Sequence, residues 1–125
     1  MILDTNALSA VADGEASAME LVAGADRIVL PVIVLGEYRL GIAQSRHRAD
    51  YEGWLRKWIA AVPVLDVDEA TTHSYSAIGL ELKKKGRPIP TNDVWIAALA
   101  RQYNLPIISR DTHFDYVREI KRFVW

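Results

Sequence analysis

The sequence contains no cysteine and no long hydrophobic run. The first absence excludes a disulfide-stabilised scaffold and any thiolate metal site, and it is compatible with a reducing compartment. The longest apolar stretch, Ile28–Gly36, includes Pro31 and is far shorter than the roughly 20 residues that cross a bilayer. The segment Met1–Asp4 has neither the basic nor the apolar region of a signal peptide. We therefore expect a cytoplasmic protein with no membrane segment.

The chain also lacks a strong excess of charge of either sign. Fifteen basic residues stand against sixteen acidic ones, so the net charge is −1. A protein that only holds nucleic acid is usually basic, so any contact of this chain with RNA must use a local patch. The sequence has no repeat, low-complexity tract or linker, and 125 residues suffice for one hydrophobic core. We therefore predict a single domain over residues 1–125.

Short aliphatic segments predict the strands of the fold. None of them alternates between apolar and polar residues, as the strands of a half-exposed sheet do, and uninterrupted aliphatic runs are typical of buried parallel strands. Four segments have this character, and a fifth strand is predicted at the end of the chain: Met1–Leu3, Arg27–Leu30, Val62–Leu65, Pro106–Ser109 and Phe123–Trp125.

Helical patterns separate these strands. They are predicted over Glu15–Ala23, Pro31–Gln44, His47–Ala61, Asp68–Lys85 and Thr91–Tyr103, with Thr91 as the N-cap of the last. Alternating strands and helices imply right-handed crossovers with helices on both faces of a sheet. The predicted fold class is α/β, a three-layer α/β/α sandwich with a central parallel sheet of about four to five strands.

Four acidic residues lie at positions that are typical of ligand-binding or catalytic sites. Open parallel sheets bind ligands beyond the carboxyl ends of their strands, and Asp4 and Asp111 follow two such ends. Glu37 and Asp93 lie on predicted core-facing sides of helices, where an unpaired acid pays a desolvation cost. Neither has a lysine or histidine three or four residues away.

The convergence of these acids would require a counter-charge. Two carboxylates about 4 Å apart repel by roughly 4 kcal/mol at an effective dielectric of 20. Oxygen ligands favour Mg²⁺ or Mn²⁺ over zinc, and such an ion can activate water for attack on a phosphodiester. The acids therefore predict a metal-dependent nuclease that needs no nucleophilic serine or histidine.

Four motifs in order resemble those of the PIN-domain ribonucleases, especially the VapC-type toxins of toxin–antitoxin pairs. They are Asp4-Thr5-Asn6, Glu37 early in a helix, Thr91-Asn92-Asp93-Val94-Trp95-Ile96-Ala97 and Ser109-Arg110-Asp111-Thr112-His113-Phe114. The resemblance covers the whole chain. It implies a PIN-like fold, a homodimer, a cognate antitoxin that blocks the site, and RNA as the substrate.

The resemblance also implies the roles of individual residues. The catalytic and metal-binding acids would be Asp4, Glu37, Asp93 and Asp111, with Mg²⁺ or Mn²⁺ as the cofactor. Thr5, Asn6 and Ser109 would orient the acids or waters. The fourth acid is the most variable in the family, and Asp115 competes with Asp111 for that position.

Other functions are compatible with parts of the sequence. The main alternative is a DNA-cutting 5′-nuclease relative with the same carboxylate chemistry. A phospho-receiver domain and a haloacid-dehalogenase phosphatase are rejected, because this chain lacks residues that each of these classes requires. Asp93 alone could simply complement a helix dipole. The histidines His47, His73 and His113 show no metal-ligand spacing, which predicts surface or packing roles. The residues predicted to guide the RNA backbone are Lys83, Lys84, Lys85, Arg87, Arg39 and Arg110.

Overall fold

A computed structural model describes all 125 residues of the protein. Its five strands are short: β1 (Ile2–Leu3), β2 (Leu30–Pro31), β3 (Val64–Leu65), β4 (Ile107–Ile108) and β5 (Arg122–Phe123). Its six α-helices are α1 (Thr5–Ala12), α2 (Ala16–Ala23), α3 (Val32–Ile42), α4 (Arg48–Ile59), α5 (Glu69–Lys84) and α6 (Thr91–Tyr103). A 3₁₀ helix over Thr112–Tyr116 separates β4 from β5. None of the helices has the length and apolar character that crossing a membrane requires.

Every strand pairing is parallel. One sheet has the order β1-β4-β5, and β2 pairs with β3 in a second. A parallel bridge between Ile2 and Val29 joins them, so the five strands run in the order β3-β2-β1-β4-β5. With helices packed around this sheet, the predicted α/β/α class is confirmed. The fifth strand begins one residue earlier than predicted, at Arg122.

The core forms around the central strands and α6. Ile2, Leu3, Ile107 and Ile108 are at most 1% exposed, which explains their uninterrupted aliphatic sequence. Helix α6 is buried over most of its circumference from Val94 to Ala100, and it packs extensively against α5. These elements hold the carboxyl ends of β1 and β4 beside the first turn of α6.

Helix α1 is missing from the sequence prediction. Eight residues form it directly after β1, with Ala7, Leu8, Ala10 and Val11 buried. Such a short helix has little intrinsic stability in water and depends on tertiary packing, so its local pattern is weak. Its presence places Asp4 at a junction, both after the end of a strand and at the N-cap of a helix.

The predicted N-cap is confirmed for α5 and wrong for α6. Asp68 caps α5 as expected, because its side chain accepts a hydrogen bond from the Thr71 backbone in a capping box. At the other end Gly86 has a φ of +65°, a conformation that glycine adopts without strain. Thr91, in contrast, does not cap α6: Pro90 occupies the N-cap and Thr91 is the first helical residue.

Candidate active site

The structure brings the four predicted acids together at the carboxyl end of the sheet. Asp4 follows β1, Asp111 follows β4, Glu37 lies within α3, and Asp93 is the third residue of α6. The charges of Asp93 and Glu37 both raise the pKa of Asp4, and those of Asp111 and Glu37 raise the pKa of Asp93. The four carboxylates therefore form one electrostatically linked group, called the acidic cluster below.

Asp4 is the most buried member of the acidic cluster, at 5% exposure. Burial is the main cause that raises its pKa to about 6, against the lowering effect of a hydrogen bond from Ser109. The Ser109 hydroxyl donates to Oδ2 at 2.6 Å, and the Asn6 amide donates to the same oxygen at 2.9 Å. Both side-chain bonds fix one oxygen of the carboxylate and leave Oδ1 for another partner.

Ser109 links the two chain segments that carry Asp4 and Asp111. Its side chain is fully buried, and its hydroxyl oxygen accepts hydrogen bonds from the Asp111 backbone N–H at 2.9 Å and from Asn6 at 3.1 Å. Asn6 in turn accepts from the backbone N–H of Arg110 at 3.1 Å. This network is compatible with the orienting role that the sequence resemblance implies for Asn6 and Ser109.

His113 contacts two members of the acidic cluster, which the sequence analysis did not predict. Its Nδ1 lies 3.0 Å from Asp93 Oδ2 and 3.0 Å from Asp111 Oδ1. The hydrogen bond to Asp93 is the main cause that raises the pKa of His113, and burial raises the pKa of Asp93 in spite of that bond. Ligand atoms of these three residues lie within 4.8 Å of one another.

The sequence analysis favoured surface or packing roles for the three histidines, whereas the structure places His113, which is partly exposed, against two acids of the acidic cluster. The three histidines are far apart in the sequence and show no metal-ligand spacing among themselves. The signal that could have identified His113 is its position two residues after Asp111, within the motif that follows β4.

Glu37 is less buried than the helical pattern predicted. Leu40, expected on the same core-facing side, is 79% exposed, and Gly41 is exposed as well. The side chain of Glu37 is half-buried and accepts a hydrogen bond from the Thr5 hydroxyl at 3.1 Å. The prediction that Glu37 lies on a buried stripe was wrong, because α3 leaves that edge open to solvent beside α1.

Asp115, the competitor for the fourth acidic position, is bound elsewhere. Its carboxylate oxygens accept hydrogen bonds from the Arg122 guanidinium at 2.8 and 2.7 Å, which lowers the pKa of Asp115. Arg122 also donates to the Ser109 carbonyl at 3.0 Å and thereby braces the loop after β4. The geometry favours Asp111 over Asp115 as the fourth member of the acidic cluster. Arg122, which the sequence did not mark as a site residue, supports the cluster from outside.

The predicted RNA-guiding residues fall into two groups. Arg39 pairs with Glu52, and Arg110 pairs with Glu15 and stacks on Trp125, so both cations are already engaged. Four others surround the end of α5, and two of these contact Tyr116. They are Lys83, Lys84, Lys85, which donates to the Tyr116 carbonyl, and Arg87, which lies over the Tyr116 ring.

Comparison with known proteins agrees with this geometry. A family model for the PIN domain matches residues 1–120. Ribonuclease VapC5 from Mycobacterium tuberculosis is 31% identical over 116 residues, which are 90% of this chain and 84% of that protein. In the structure of VapBC2 from Rickettsia felis bound to a promoter DNA fragment, a chain matches with a TM-score of 0.88 and 24% identity, over 99% of this chain and 97% of that chain.

A second structural match is VapBC-1 from nontypeable Haemophilus influenzae. Its TM-score is 0.85 at 26% identity, and the match covers 99% of this chain and 96% of that chain. The resemblance to VapC-type PIN proteins that the motifs indicated is confirmed by these matches. The chain belongs to the PIN domain family.

Proposed function

We propose that the chain is a metal-dependent endoribonuclease and the toxin of a toxin–antitoxin pair, with one catalytic domain over residues 1–125 that acts in the cytoplasm. The observation that carries this proposal is the acidic cluster at the carboxyl end of the parallel sheet, where Asp4 and Asp93 are buried. The relatives support the choice of substrate, because the similar proteins from Mycobacterium tuberculosis and Rickettsia felis are both named ribonucleases.

The donor set fits Mg²⁺ or Mn²⁺. Asp4, Asp93 and Asp111 each have a carboxylate oxygen that no side chain of the protein occupies, and Glu37 uses only Oε1 for Thr5. Hard divalent cations prefer such oxygen ligands. We infer that these four acids hold the ion, which when bound would lower the pKa of a water and stabilise charge on the phosphate.

The remaining residues of the site position the carboxylates. Ser109 and Asn6 hold Asp4 through Oδ2, and Thr5 holds Glu37, so that the free oxygens keep fixed directions. The hydrogen bond to Asp93 and the charges of Asp111 and Asp93 raise the pKa of His113, which favours a protonated imidazole that partly neutralises these two acids. The acids would therefore release His113 in part when a cation takes over that neutralisation.

The catalytic proposal is tested by removing single carboxylates. Asp4→Asn and Asp93→Asn should each slow cleavage of an RNA oligonucleotide by about a hundredfold, since each change weakens the electrostatic stabilisation of the reacting phosphate. Asp66→Asn, at an exposed position outside the acidic cluster, is the matched control and should cleave at the wild-type rate. Turnover by either cluster variant within a few-fold of wild type would refute the assignment.

The same assay separates RNA from DNA. A DNA oligonucleotide of the same sequence should remain intact under conditions in which the RNA is cut. Faster cleavage of the DNA would instead support the alternative, a 5′-nuclease relative with the same carboxylate chemistry.

The partners are a cognate antitoxin and a second copy of the chain. The similar structures from Rickettsia felis and Haemophilus influenzae are of VapBC proteins, which supports the first. For the second copy, the supporting observation is that Met19 on α2 and Leu40 on α3 expose 49% and 79% of their surface, which would favour burial against another chain.

Light scattering at micromolar concentration should give the mass of a dimer. A protein encoded beside this gene should abolish cleavage at saturation, and unchanged activity would contradict the toxin proposal.

A further inference from the structure

A groove lies between α5 and α6, at the end of α6 that carries Asp93. Its volume is about 410 Å³, within the range of roughly 300–1,000 Å³ that is typical of small-ligand pockets. The residues that chiefly define it are Tyr75, Leu82, Lys83, Ile89, Thr91 and Val94. This space is called the α5–α6 groove below.

The charge around the α5–α6 groove favours an anionic ligand. No carboxylate lines it, whereas the cavity beside α3 is lined by Asp13 and Glu37, and a third cavity is lined by Glu119. Lys83 lines the groove and Lys84 follows it, and neither lysine makes an ion pair within the protein. In a chain of net charge −1, this local cationic surface is the kind of patch that contact with nucleic acid requires.

The walls of the α5–α6 groove favour a flat ring. Tyr75 lines the groove, and its ring is stacked on Trp95 with centroids 3.8 Å apart and planes 25° apart. Leu82 and Val94 contribute apolar surface, and both are less than 10% exposed. An aromatic residue held in place beside apolar side chains is the arrangement on which single-stranded nucleic acids stack their bases.

The α5–α6 groove is next to the acidic cluster along the same helix. Val94 lines the groove and directly follows Asp93, and Thr91 precedes that acid by two residues. Consecutive helical residues rise by only about 1.5 Å and point about 100° apart. Thr91 and Val94 therefore share one face of α6, and Asp93 points roughly 130° around the helix axis from the middle of that face. The groove and Asp93 thus lie on different sides of the same first turn of α6.

We propose that the α5–α6 groove binds one nucleobase of the RNA substrate, near the cut phosphate, while Lys83 contacts the adjoining backbone phosphate. The inference rests on the proposed ribonuclease function and deepens it. It assigns substrate positioning to a surface outside the acidic cluster, with an unpaired, single-stranded nucleotide as the ligand.

Gly79 offers a way to fill the groove without disturbing the fold. It lies within α5 and lines the groove, and a Cβ added there would meet no atom within 4 Å. Gly79→Leu should therefore fold normally and occupy the space meant for the base. Gly36→Leu is the matched control, because Gly36 is also helical, has equally free space and lies outside the groove.

The measurement is a scan with abasic nucleotides. Binding of a short single-stranded RNA to the full chain in EDTA is followed by fluorescence anisotropy, and one nucleotide at a time is replaced by its abasic form. In wild type and Gly36→Leu, one position should weaken binding by about tenfold, the effect of losing one stacked base. In Gly79→Leu the intact RNA should already bind about tenfold more weakly, and that abasic position should have no further effect.

Two results would overturn the inference. One is an unchanged affinity and abasic profile in Gly79→Leu. The other is a change of molecular mass in Gly79→Leu by light scattering, which would make the groove an interface between copies of the chain. Cleavage of RNA by the wild-type protein in Mn²⁺ is measured separately. If wild type cuts RNA but Gly79→Leu binds RNA normally, only the assignment of the groove fails. If wild type does not cut RNA, the proposed function fails.

Lys83 gives a second, independent readout. Lys83→Gln should reduce the salt dependence of RNA binding by about 0.7 in the slope of log affinity against log salt, the value for one phosphate contact on a single strand. The abasic profile should stay as in wild type. Lys57→Gln, at an exposed position of α4, is the control and should keep the wild-type slope. An unchanged slope in Lys83→Gln would refute the phosphate contact.

Discussion

Replacing Asp4 by asparagine should stabilise the metal-free protein at neutral pH. Asp4 is 5% exposed, and burial raises its pKa to about 6, with further contributions from the charges of Asp93 and Glu37. An asparagine has the same shape, and its oxygen can accept the hydrogen bonds that Ser109 and Asn6 now donate to Oδ2. The substitution thus removes a charge that the fold accommodates poorly, at little cost in packing.

The sign of the effect follows from the direction of the pKa shift. The pKa of Asp4 is about 6 in the folded protein against an ordinary value of 3.8, so the folded state favours the protonated carboxyl. That stabilising contribution is complete below the lower pKa and is lost as the pH rises through the higher one. A difference of about two units corresponds to about 3 kcal/mol at pH 7.5, since one unit is worth about 1.36 kcal/mol. For a chain of this size the melting temperature should change by about 10 °C.

Thermal and urea unfolding in EDTA between pH 4 and pH 8 would measure this. Wild type should lose stability as the pH rises above about 4, whereas Asp4→Asn should lose less and should melt at a higher temperature than wild type at pH 7.5. Asp66→Asn, at an exposed position, should follow the wild-type profile. A lower melting temperature for Asp4→Asn at pH 7.5, or parallel pH profiles for the two proteins, would refute the idea that a buried charge destabilises the site.

Three further outcomes are expected. Mn²⁺ at a hundred times its dissociation constant should add about 2.7 kcal/mol to the free energy of unfolding, and EDTA should remove this gain. The gain should be smaller in Asp93→Asn, and an unchanged melting temperature of wild type with Mn²⁺ would argue against a metal site. Asp111→Asn should slow single-turnover RNA cleavage more than Asp115→Asn does, because Asp115 is bound to an arginine; the reverse order would make Asp115 the fourth acid. Ser109→Ala should lower the free energy of unfolding in urea by about 2 kcal/mol, because buried Asp4 loses a charge-assisted hydrogen bond. An unchanged midpoint of urea unfolding would contradict the stabilising role of that bond.

The strands and most helices could be predicted because their signals are local. Ile2-Leu3 and Ile107-Ile108 are aliphatic because both faces of the parallel sheet are covered, and that requirement is visible in the residues themselves. Helix α1 could not be predicted in the same way. Its eight residues are mostly small and uncharged, and its N-cap residue Asp4 makes no capping hydrogen bond with its side chain. The helix is held instead by packing against α2 and α3.

The acids of the candidate site were also visible along the chain, but their surroundings were not. Asp4 and Asp111 follow strand ends, and the motif around Asp93 is contiguous, so order and spacing sufficed to select them. The contacts of His113 with Asp93 and of Ser109 with Asp4 span 20 and 105 residues, respectively. No pattern of neighbouring residues encodes such distances, since they arise only when the strands pair.

By itself, the sequence determined the alternation of parallel strands and helices, the likeness to PIN-domain proteins, and which carboxylates could act together. Tertiary structure alone decided that Glu37 lies at an open edge, that Asp115 is bound by Arg122, and that His113 lies between Asp93 and Asp111. The physical reason is that periodicity reports which side of an element is buried. Hydrogen bonding and pKa shifts depend instead on which distant residues the packed sheet brings within about 3 Å.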